Sequence, residues 1–385
     1  MTAEAPVASA PDHAPAKRPS RLTGSTARIS ATYVLGLLAT SAGVVAQANR
    51  SHISPLSKAF RPWDSGFYVG IAAHGYDFTY VTQHGPERQN NTAFFPGYPL
   101  LVRALGDLLG WAGLTMRGAA WAVNAGCGLA AVLVIAAVVR HWYDEPVAVR
   151  TAQAVALFPG SAVFVLTYAE GLFLLMASAC VLAVSRRQWW WAGLAALAAG
   201  GVRANGLYLS ALLAVVAVHA VWTRRNWLSL VAPLLAPLGF LGYQAYLWQA
   251  TGRWDEWFAV EHYGWRQRTD FGAETVRVLT GGHPMRSGLL VLQLVGVGCL
   301  LLVAVLALVR RVKLPGLLLG YTAAMILPLL LAARLGMRPR FLLTAFPLML
   351  VVAQALRSYA FAAYCLISTV GLTWSGWVYA GHWSP

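Results

Sequence analysis

The segment Arg61-Pro62-Trp63-Asp64-Ser65-Gly66-Phe67-Tyr68, with Phe94-Phe95-Pro96-Gly97-Tyr98-Pro99 downstream, decides how this chain is read. It lies in a polar stretch directly after the first apolar run, which extends from about Ala31 to Ala48, near the length a bilayer requires. A carboxylate beside an aromatic ring, placed where an apolar helix meets water, suits chemistry on a substrate that is half lipid. Such a carboxylate must stay near water, because ionising it in hydrocarbon is costly.

Working outward, the remainder is mostly hydrocarbon-soluble. The chain has 385 residues, of which 58% are hydrophobic and 11% charged, and its mean hydropathy is +0.57. A soluble protein carries roughly a quarter charged residues. Apolar runs recur along the whole length, so the chain is expected to be an all-α integral membrane protein. Its single membrane domain is read over residues 28–385, after a disordered cytoplasmic tail over residues 1–27. Further runs lie near 119–139, 152–166, 168–184, 189–199, 207–221, 228–248, 289–309, 316–333, 341–355 and 360–379, giving about 11 transmembrane helices in all. Residues 93–109 are half apolar and are expected to form a short helix at the outer interface.

The net charge of +15 does not point to nucleic acid. The cations fall in short clusters between apolar runs, which is the pattern of topology signals and lipid-headgroup contacts. Lys17, Arg18, Arg21 and Arg28, then Arg140/Arg150, Arg186-Arg187, Arg224-Arg225 and Arg310-Arg311-Val312-Lys313 all fall on one side when spans are counted. The positive-inside rule makes that side cytoplasmic. The protein is thus expected to be multi-pass in the cell membrane, with outer loops over 49–114 and 251–287 that carry most of the acidic residues. Cys127, Cys180, Cys299 and Cys365 lie inside apolar runs without metal-ligand spacing and read as small buried hydrophobes. The outer histidines lack ligand spacing as well, so no metal site is expected from them, and Asp64 is the candidate ligand for a divalent cation. His74 with Asp64 and Asp77 is close enough in the chain to share a pocket.

Four places combine polar groups with a membrane edge. Asp64 is either a general base (or cation ligand) or the N-cap of a helix starting near Ser65, and Trp63 either stacks on a sugar or anchors at the interface. Arg203-Ala204-Asn205-Gly206 breaks an apolar run. Arg203 there either holds a phosphate oxygen or pairs with Glu170, and Asn205 either orients a hydroxyl or simply turns the chain. Glu170, in Tyr168-Ala169-Glu170, is either a second carboxylate of the site or a charge at a helix N-terminus. Arg338-Pro339-Arg340, with Arg334 a turn earlier, puts positive charge on the outer side against the topology rule, either as a phosphate clamp or as an ion-pair partner of the acidic outer loop. Trp254, Trp257, Tyr263 and Trp265 serve as interfacial anchors or as sugar platforms. No Walker loop, dinucleotide fingerprint, Ser-His-Asp signature or nucleotide-sugar DxD motif is present. A donor carried on a lipid phosphate and held by arginines fits that absence better than a soluble nucleotide donor.

These residues resemble the PIG-V family of membrane mannosyltransferases and its actinobacterial relatives. The likeness rests on Trp63-Asp64 with Tyr68, Gly75-Tyr76, Ala93-Phe94-Phe95-Pro96 with Tyr98-Pro99-Leu100, Tyr168-x-Glu170, Arg203-x-Asn205-Gly206 and Arg338-x-Arg340-Phe341. It covers most of the chain after the tail, and the Trp-Asp and Phe-Phe-Pro blocks are its most specific parts. Phe67 stands where that family usually has Trp, and Ala204 where it usually has Pro. The resemblance implies a GT-C-like multi-span bundle whose site faces away from the cytoplasm. It further implies a polyprenyl-phosphate sugar donor, mannose by likeness, and transfer to a lipid or cell-surface glycan acceptor with inversion. Asp64 would be the base, Arg203 and Arg340 the phosphate contacts, and Trp63, Tyr68, Glu170, Asn205 and Arg338 further substrate contacts. The alternative from another class is a transporter or flippase of a lipid-linked sugar, which would place its ionisable groups in broken helices at mid-membrane.

Overall fold

A computed structural model describes residues 19–53, 58–60, 63–85, 88–273, 276–277, 280, 287–332 and 338–381. Arg334 lies outside the described residues. Helices account for the regular structure described, apart from one isolated bridge between Thr269 and Ala332. In chain order they are α1 (Pro19–Arg50), α2 (Ser65–His74), α3 (Phe78–His84), α4 (Gly97–Leu109), α5 (Met116–Val139), α6 (Glu145–Leu157), α7 (Glu170–Ser185), α8 (Trp189–Val202), α9 (Gly206–Arg224), α10 (Val231–Leu235), α11 (Leu238–Thr251), α12 (Glu256–Tyr263), α13 (Ser287–Val309), α14 (Gly316–Leu331), α15 (Pro339–Leu342), α16 (Pro347–Ala355) and α17 (Ser358–Ala380). Among the described residues, Thr23–Arg50, Met116–Val139, Gly206–Arg224, Trp227–Thr251 and Ser358–Ala380 are long and apolar enough to cross a membrane. The apolar helices Glu170–Ser185, Trp189–Val202, Leu294–Val309 and Gly316–Leu331 are shorter.

The boundaries follow local chemistry. Proline opens α1, where its fixed φ suits the first turn. That helix therefore starts inside the stretch expected to be a tail, because the helical run continues upstream of the apolar residues without a breaker. Thr115 Oγ1 accepts the Gly118 N–H at 3.1 Å and caps α5, and Asp144 Oδ1 accepts the Val147 N–H at 3.1 Å and caps α6. The apolar run 152–166 is not one helix. α6 ends at Leu157 because Phe158 precedes a proline and leaves helical backbone, with ψ 137°. A 3-10 segment, Pro159–Phe164, continues from there. The run 228–248 is likewise divided at Ala236-Pro237, between α10 and α11, and 341–355 at the turn before Pro347.

Small residues let these helices approach closely. α1 packs along α17, where a Cβ on Gly43 would strike the Thr373 carbonyl and one on Gly376 the Thr40 carbonyl. Without a water-driven hydrophobic force inside a bilayer, such backbone-close packing holds helices together. The irregular stretch between α6 and α7 is pinned by the buried Asn124 of α5. Its amide Nδ2 donates to the Val163 carbonyl at 2.6 Å and to that of Leu166, and its Oδ1 accepts the Gly171 N–H at 3.2 Å. Nonhelical backbone at this depth is tolerated only when its polar groups are met inside the protein. Tyrosines clasp other segments: Tyr98 donates to the Ala120 carbonyl at 2.7 Å, Tyr76 to Phe94 at 2.7 Å and Tyr243 to Thr92 at 2.8 Å. The Phe-Phe-Pro block is thus fixed between α2 and α11. α4, which follows it, is amphipathic and buries Tyr98, Val102 and Gly106 against its neighbours.

The α1–α17 seam yields a stability prediction. Gly43→Val or Gly376→Val overpacks helix against backbone, which costs about 1–3 kcal/mol or more. Either variant is expected to lower the detergent-solubilised unfolding midpoint and broaden its size-exclusion profile. Gly126→Ala, whose Cβ meets nothing within 4 Å, should match or exceed wild type.

Candidate active site

Four segments bring charged groups to one place. Trp63, with φ 50°, turns the chain so that α2 starts at Ser65. Asp64 stands at the N-cap position with helical dihedrals, and its side chain makes no capping hydrogen bond. Its carboxylate turns away, and Oδ2 accepts from Arg340 Nη2 at 3.1 Å. Glu170 is the first residue of α7, set in place by the Asn124 clasp. Its Oε1 pairs with Arg203 Nη1 at 2.6 Å and lies 3.7 Å from Arg340 Nε. Arg203 follows the end of α8 in extended backbone, and the turn to α9 closes at Gly206, where a Cβ would strike the backbone of Gly200. Arg338 and Arg340 flank Pro339, the first residue of α15, and the Pro339 carbonyl sits where a Cβ on Gly160 would lie.

The result is a chain of alternating charge, Asp64–Arg340–Glu170–Arg203. It is largely sealed: the Glu170 side chain is 1% exposed and Arg340 8%, against 19% for Asp64 and 15% for Arg203. Open access is therefore on the Asp64 and Arg203 flanks. Aromatic faces finish the cation's surroundings, with the Arg340 guanidinium 5.1 Å from the Tyr168 ring centroid and 4.5 Å from that of Phe341. Burial opposes the charge on Arg340, but Asp64 and Glu170 outweigh it and keep the guanidinium firmly protonated. Arg338 is pushed down to about 10, first by burial and then by Arg340 beside it. Tyr68, buried edge-on against Phe94 and Tyr98, is held neutral by that burial.

The expectations resolve individually. Capping by Asp64 is not what the geometry shows, whereas the pairing of Arg203 with Glu170 is. Among the described residues, Arg340 pairs with Asp64 and Glu170. Asn205 enters the turn by its backbone, accepting the Tyr208 N–H at 3.1 Å. Trp63 is 48% exposed and stands outside the ion pairs. Asp77 and His74 are both exposed. Trp257 has a structural part: its Nε1 donates to the Ala93 carbonyl at 3.2 Å and its ring packs on Phe95 and Phe240. Trp265 packs on Phe67 and Phe94. Among the described residues, no three His, Cys, Asp or Glu side chains converge to hold a metal ion.

Sequence reading missed three neighbours. Tyr379, fully buried near the end of α17, lies close enough to Arg338 and Arg340 to influence both. Tyr168 was visible only as a flank of Glu170. Glu261 of α12 comes within electrostatic reach of Asp64 and Arg203, and its carboxyl is pushed up to about 8, first by burial and then by Asp64, with Arg203 opposing. Only its place in an acid-rich loop signalled it.

Residues 25–232 match the family model described as mannosyltransferase (PIG-V). The chain is similar to GPI alpha-1,6-mannosyltransferase 2 of Rattus norvegicus, at 30% identity over 154 residues, a stretch that covers 38% of this chain and 29% of that relative. Among solved structures, the apo oligosaccharyltransferase of Archaeoglobus fulgidus aligns with 92% of this chain and 55% of its own, at 14% identity and TM-score 0.45. The same oligosaccharyltransferase tethered to an acceptor peptide containing the NVT sequon aligns over the same shares at TM-score 0.43.

Glu261 gives a pH prediction. The folded chain keeps this proton up to about pH 8, whereas a free glutamate loses it near 4.5. Its contribution to stability is therefore complete below about 4.5 and is lost progressively as pH rises to about 8. Glu261→Gln is expected to remove that decline, giving a higher unfolding midpoint than wild type at about pH 8 and little difference at about pH 5. Midpoints measured across the range check it.

Proposed function

We propose an activity on a plain premise, that the chain belongs to the mannosyltransferase (PIG-V) family. The protein transfers a sugar, mannose by family, from a polyprenyl-phosphate donor to a hydroxyl of a lipid or cell-surface glycan. Asp64 takes the acceptor proton. The freed oxygen attacks the anomeric carbon as the bond from that carbon to the phosphate oxygen breaks. The electron pair leaves with the polyprenyl phosphate, whose growing charge Arg340, Arg203 and Arg338 offset. One displacement inverts the anomeric centre and needs no covalent sugar–enzyme adduct. Tyr68 and Glu170 position these groups, and Trp63 and Asn205 border the substrate.

The observation that carries this reading is the direct ion pair between Asp64 and Arg340, which joins a candidate base to a candidate phosphate ligand from 276 residues away. Arg340 also has Glu170 within 3.7 Å, so an arriving phosphate can draw on a guanidinium that is already charged and placed. Arg340 engages Oδ2 of Asp64, which leaves Oδ1 to take the acceptor's proton while the guanidinium serves the phosphate.

The site is extracytoplasmic in a multi-pass cell-membrane protein with its N-terminus in the cytoplasm. Two helices support this orientation. α7 starts at Glu170 and ends at Ser185 before Arg186-Arg187, and α9 starts after Arg203 and ends at Arg224. The charge network and the arginine clusters thus sit at opposite ends, and the positive-inside rule assigns the clusters to the cytoplasm.

Asp64→Asn is expected to reduce sugar transfer from radiolabelled polyprenyl-phosphate mannose by about 10²–10⁴-fold. Donor binding should stay near wild type and the protein should still insert and fold, at a lower unfolding midpoint because Arg340 loses one of its carboxylate partners. Near-normal turnover by this variant would remove Asp64 from the mechanism. Arg340→Lys, which keeps charge but loses the fork, should weaken donor binding as well as turnover.

A further inference from the structure

The ion pairs leave part of Arg340 unused. Its guanidinium donates through Nε, Nη1 and Nη2. Asp64 takes Nη2 at 3.1 Å and Glu170 faces Nε at 3.7 Å, whereas Nη1 is buried with no hydrogen-bond partner among the described residues. The hydroxyl of Tyr379 is in the same state. Tyr379 is 0% exposed, and Arg338, Arg340 and Glu170 all lie within electrostatic reach of it. Other tyrosines sealed as deeply meet the protein: the hydroxyls of Tyr98 and Tyr321 each donate to a backbone carbonyl, of Ala120 and Thr344, at 2.7 Å. A buried donor without an acceptor is unfavourable, so these two donors at one guanidinium call for an acceptor from outside the protein.

Packing sets Tyr379 there. The 3-10 segment Pro159–Phe164 lies between α15 and α17, since a Cβ on Gly160 would strike the Pro339 carbonyl and one on Gly371 would stand 3.1 Å from the Pro159 ring. A turn before Tyr379, Gly376 seats α17 against Thr40 of α1, which holds the end of α17 in register. The charge balance points the same way. Arg203, Arg338 and Arg340 face Asp64 and Glu170, which leaves a positive charge in excess. Glu261 does not cancel it below about pH 8, because burial keeps its carboxyl protonated. A phosphodiester carries a single negative charge and has an acceptor oxygen for each of the two donors.

We propose that Tyr379 is a catalytic residue: its hydroxyl and Arg340 Nη1 together hold the phosphate of the lipid-carried sugar donor. The proposal rests on the reading of that donor as a polyprenyl-phosphate sugar. Asp64 and Glu170 keep their places on Nη2 and Nε, so the phosphate displaces neither carboxylate. It comes in from the Asp64 and Arg203 flanks, where the network is open. As the bond from the anomeric carbon to the phosphate oxygen breaks, its electron pair passes to the phosphate, which goes from a single negative charge to a double one. Tyr379 keeps its proton and donates a hydrogen bond that strengthens as that charge grows. Its burial away from water makes that bond stronger still.

The test uses the full-length protein in detergent, with farnesyl phosphate as a short prenyl phosphate and farnesol as its uncharged control. Without ligand, Tyr379→Phe is expected to match or exceed the wild-type unfolding midpoint, because it removes a hydroxyl that has no partner in the protein. Tyr98→Phe, which breaks a hydrogen bond to the Ala120 carbonyl, should fall below it. Tyr379→Phe should weaken farnesyl phosphate binding about tenfold or more and leave farnesol binding unchanged. With radiolabelled polyprenyl-phosphate mannose it should lower kcat about 10²–10³-fold, with a smaller rise in KM. A drop in the unliganded midpoint of Tyr379→Phe overturns the proposal, since the hydroxyl would then be bonded within the protein. Unchanged farnesyl phosphate binding or unchanged kcat overturns it as well, and so does a wild type that binds farnesyl phosphate no better than farnesol. A wild type whose phosphate binding depends on Tyr379, but which transfers no sugar from any polyprenyl phosphate, would defeat the proposed activity and leave the phosphate site standing.

Discussion

A buried guanidinium must be answered by carboxylates, and this requirement at Arg340 governs the architecture around it. An isolated charge of this kind in a low-dielectric interior is very unfavourable, and removing one partner of a buried pair typically costs about 3–5 kcal/mol. Arg340 meets the requirement with Asp64 at 3.1 Å and Glu170 at 3.7 Å, and Glu170 is shared with Arg203 at 2.6 Å. Each of the four groups lies where a helix begins or has just ended. The network therefore forms only when α2, α7, the α8–α9 turn and α15 are all seated, and the groups proposed for chemistry are also the ones that tie the bundle together.

Placing charge at helix ends explains how a site of this kind coexists with a hydrocarbon-soluble fold. Helix interiors satisfy their own backbone and need only apolar side chains, whereas helix ends leave polar groups that must find partners. The stretch 158–169 shows how those partners are supplied. Asn124, buried in α5, meets two carbonyls and one amide of that irregular segment, so Tyr168 and Glu170 emerge in fixed positions. Tyr76 and Tyr243 clamp the loop carrying Phe94 and Phe95, and Phe67 stacks on Phe94 at 4.8 Å, which ties the start of α2 to that block. The aromatic motif thus acts as a buttress for Asp64.

Several parts of this were legible in the chain. Apolar runs of membrane length gave the helices, and polar residues interrupting those runs marked Asp64, Glu170, Arg203 and Arg340, because a charge at a membrane edge is rarely neutral to function. Prolines altered the details. Phe158-Pro159 ended α6 earlier than hydropathy alone implied, since hydropathy does not register the backbone restriction before proline. Tyr379 carried no local signal, and Glu261 only its place in an acid-rich loop. Their significance depends on what lies across from them, and α12 and α17 approach the network from parts of the chain remote from α2 and α7.

What the chain determined by itself was its solvent and its vocabulary: helices, because backbone polar groups in hydrocarbon must pair within a segment, and charges confined to helix ends, because interiors exclude them. Only the tertiary structure decided which charge answers which. Asp64 had two local readings of similar merit, capping α2 or serving as a base or cation ligand, and its side chain turned from the cap to Arg340, which offers a charged donor that a helix N-terminus cannot match in a buried setting. Pairing between residues 64 and 340 is a matter of three-dimensional distance, and no periodicity or spacing along the sequence encodes it.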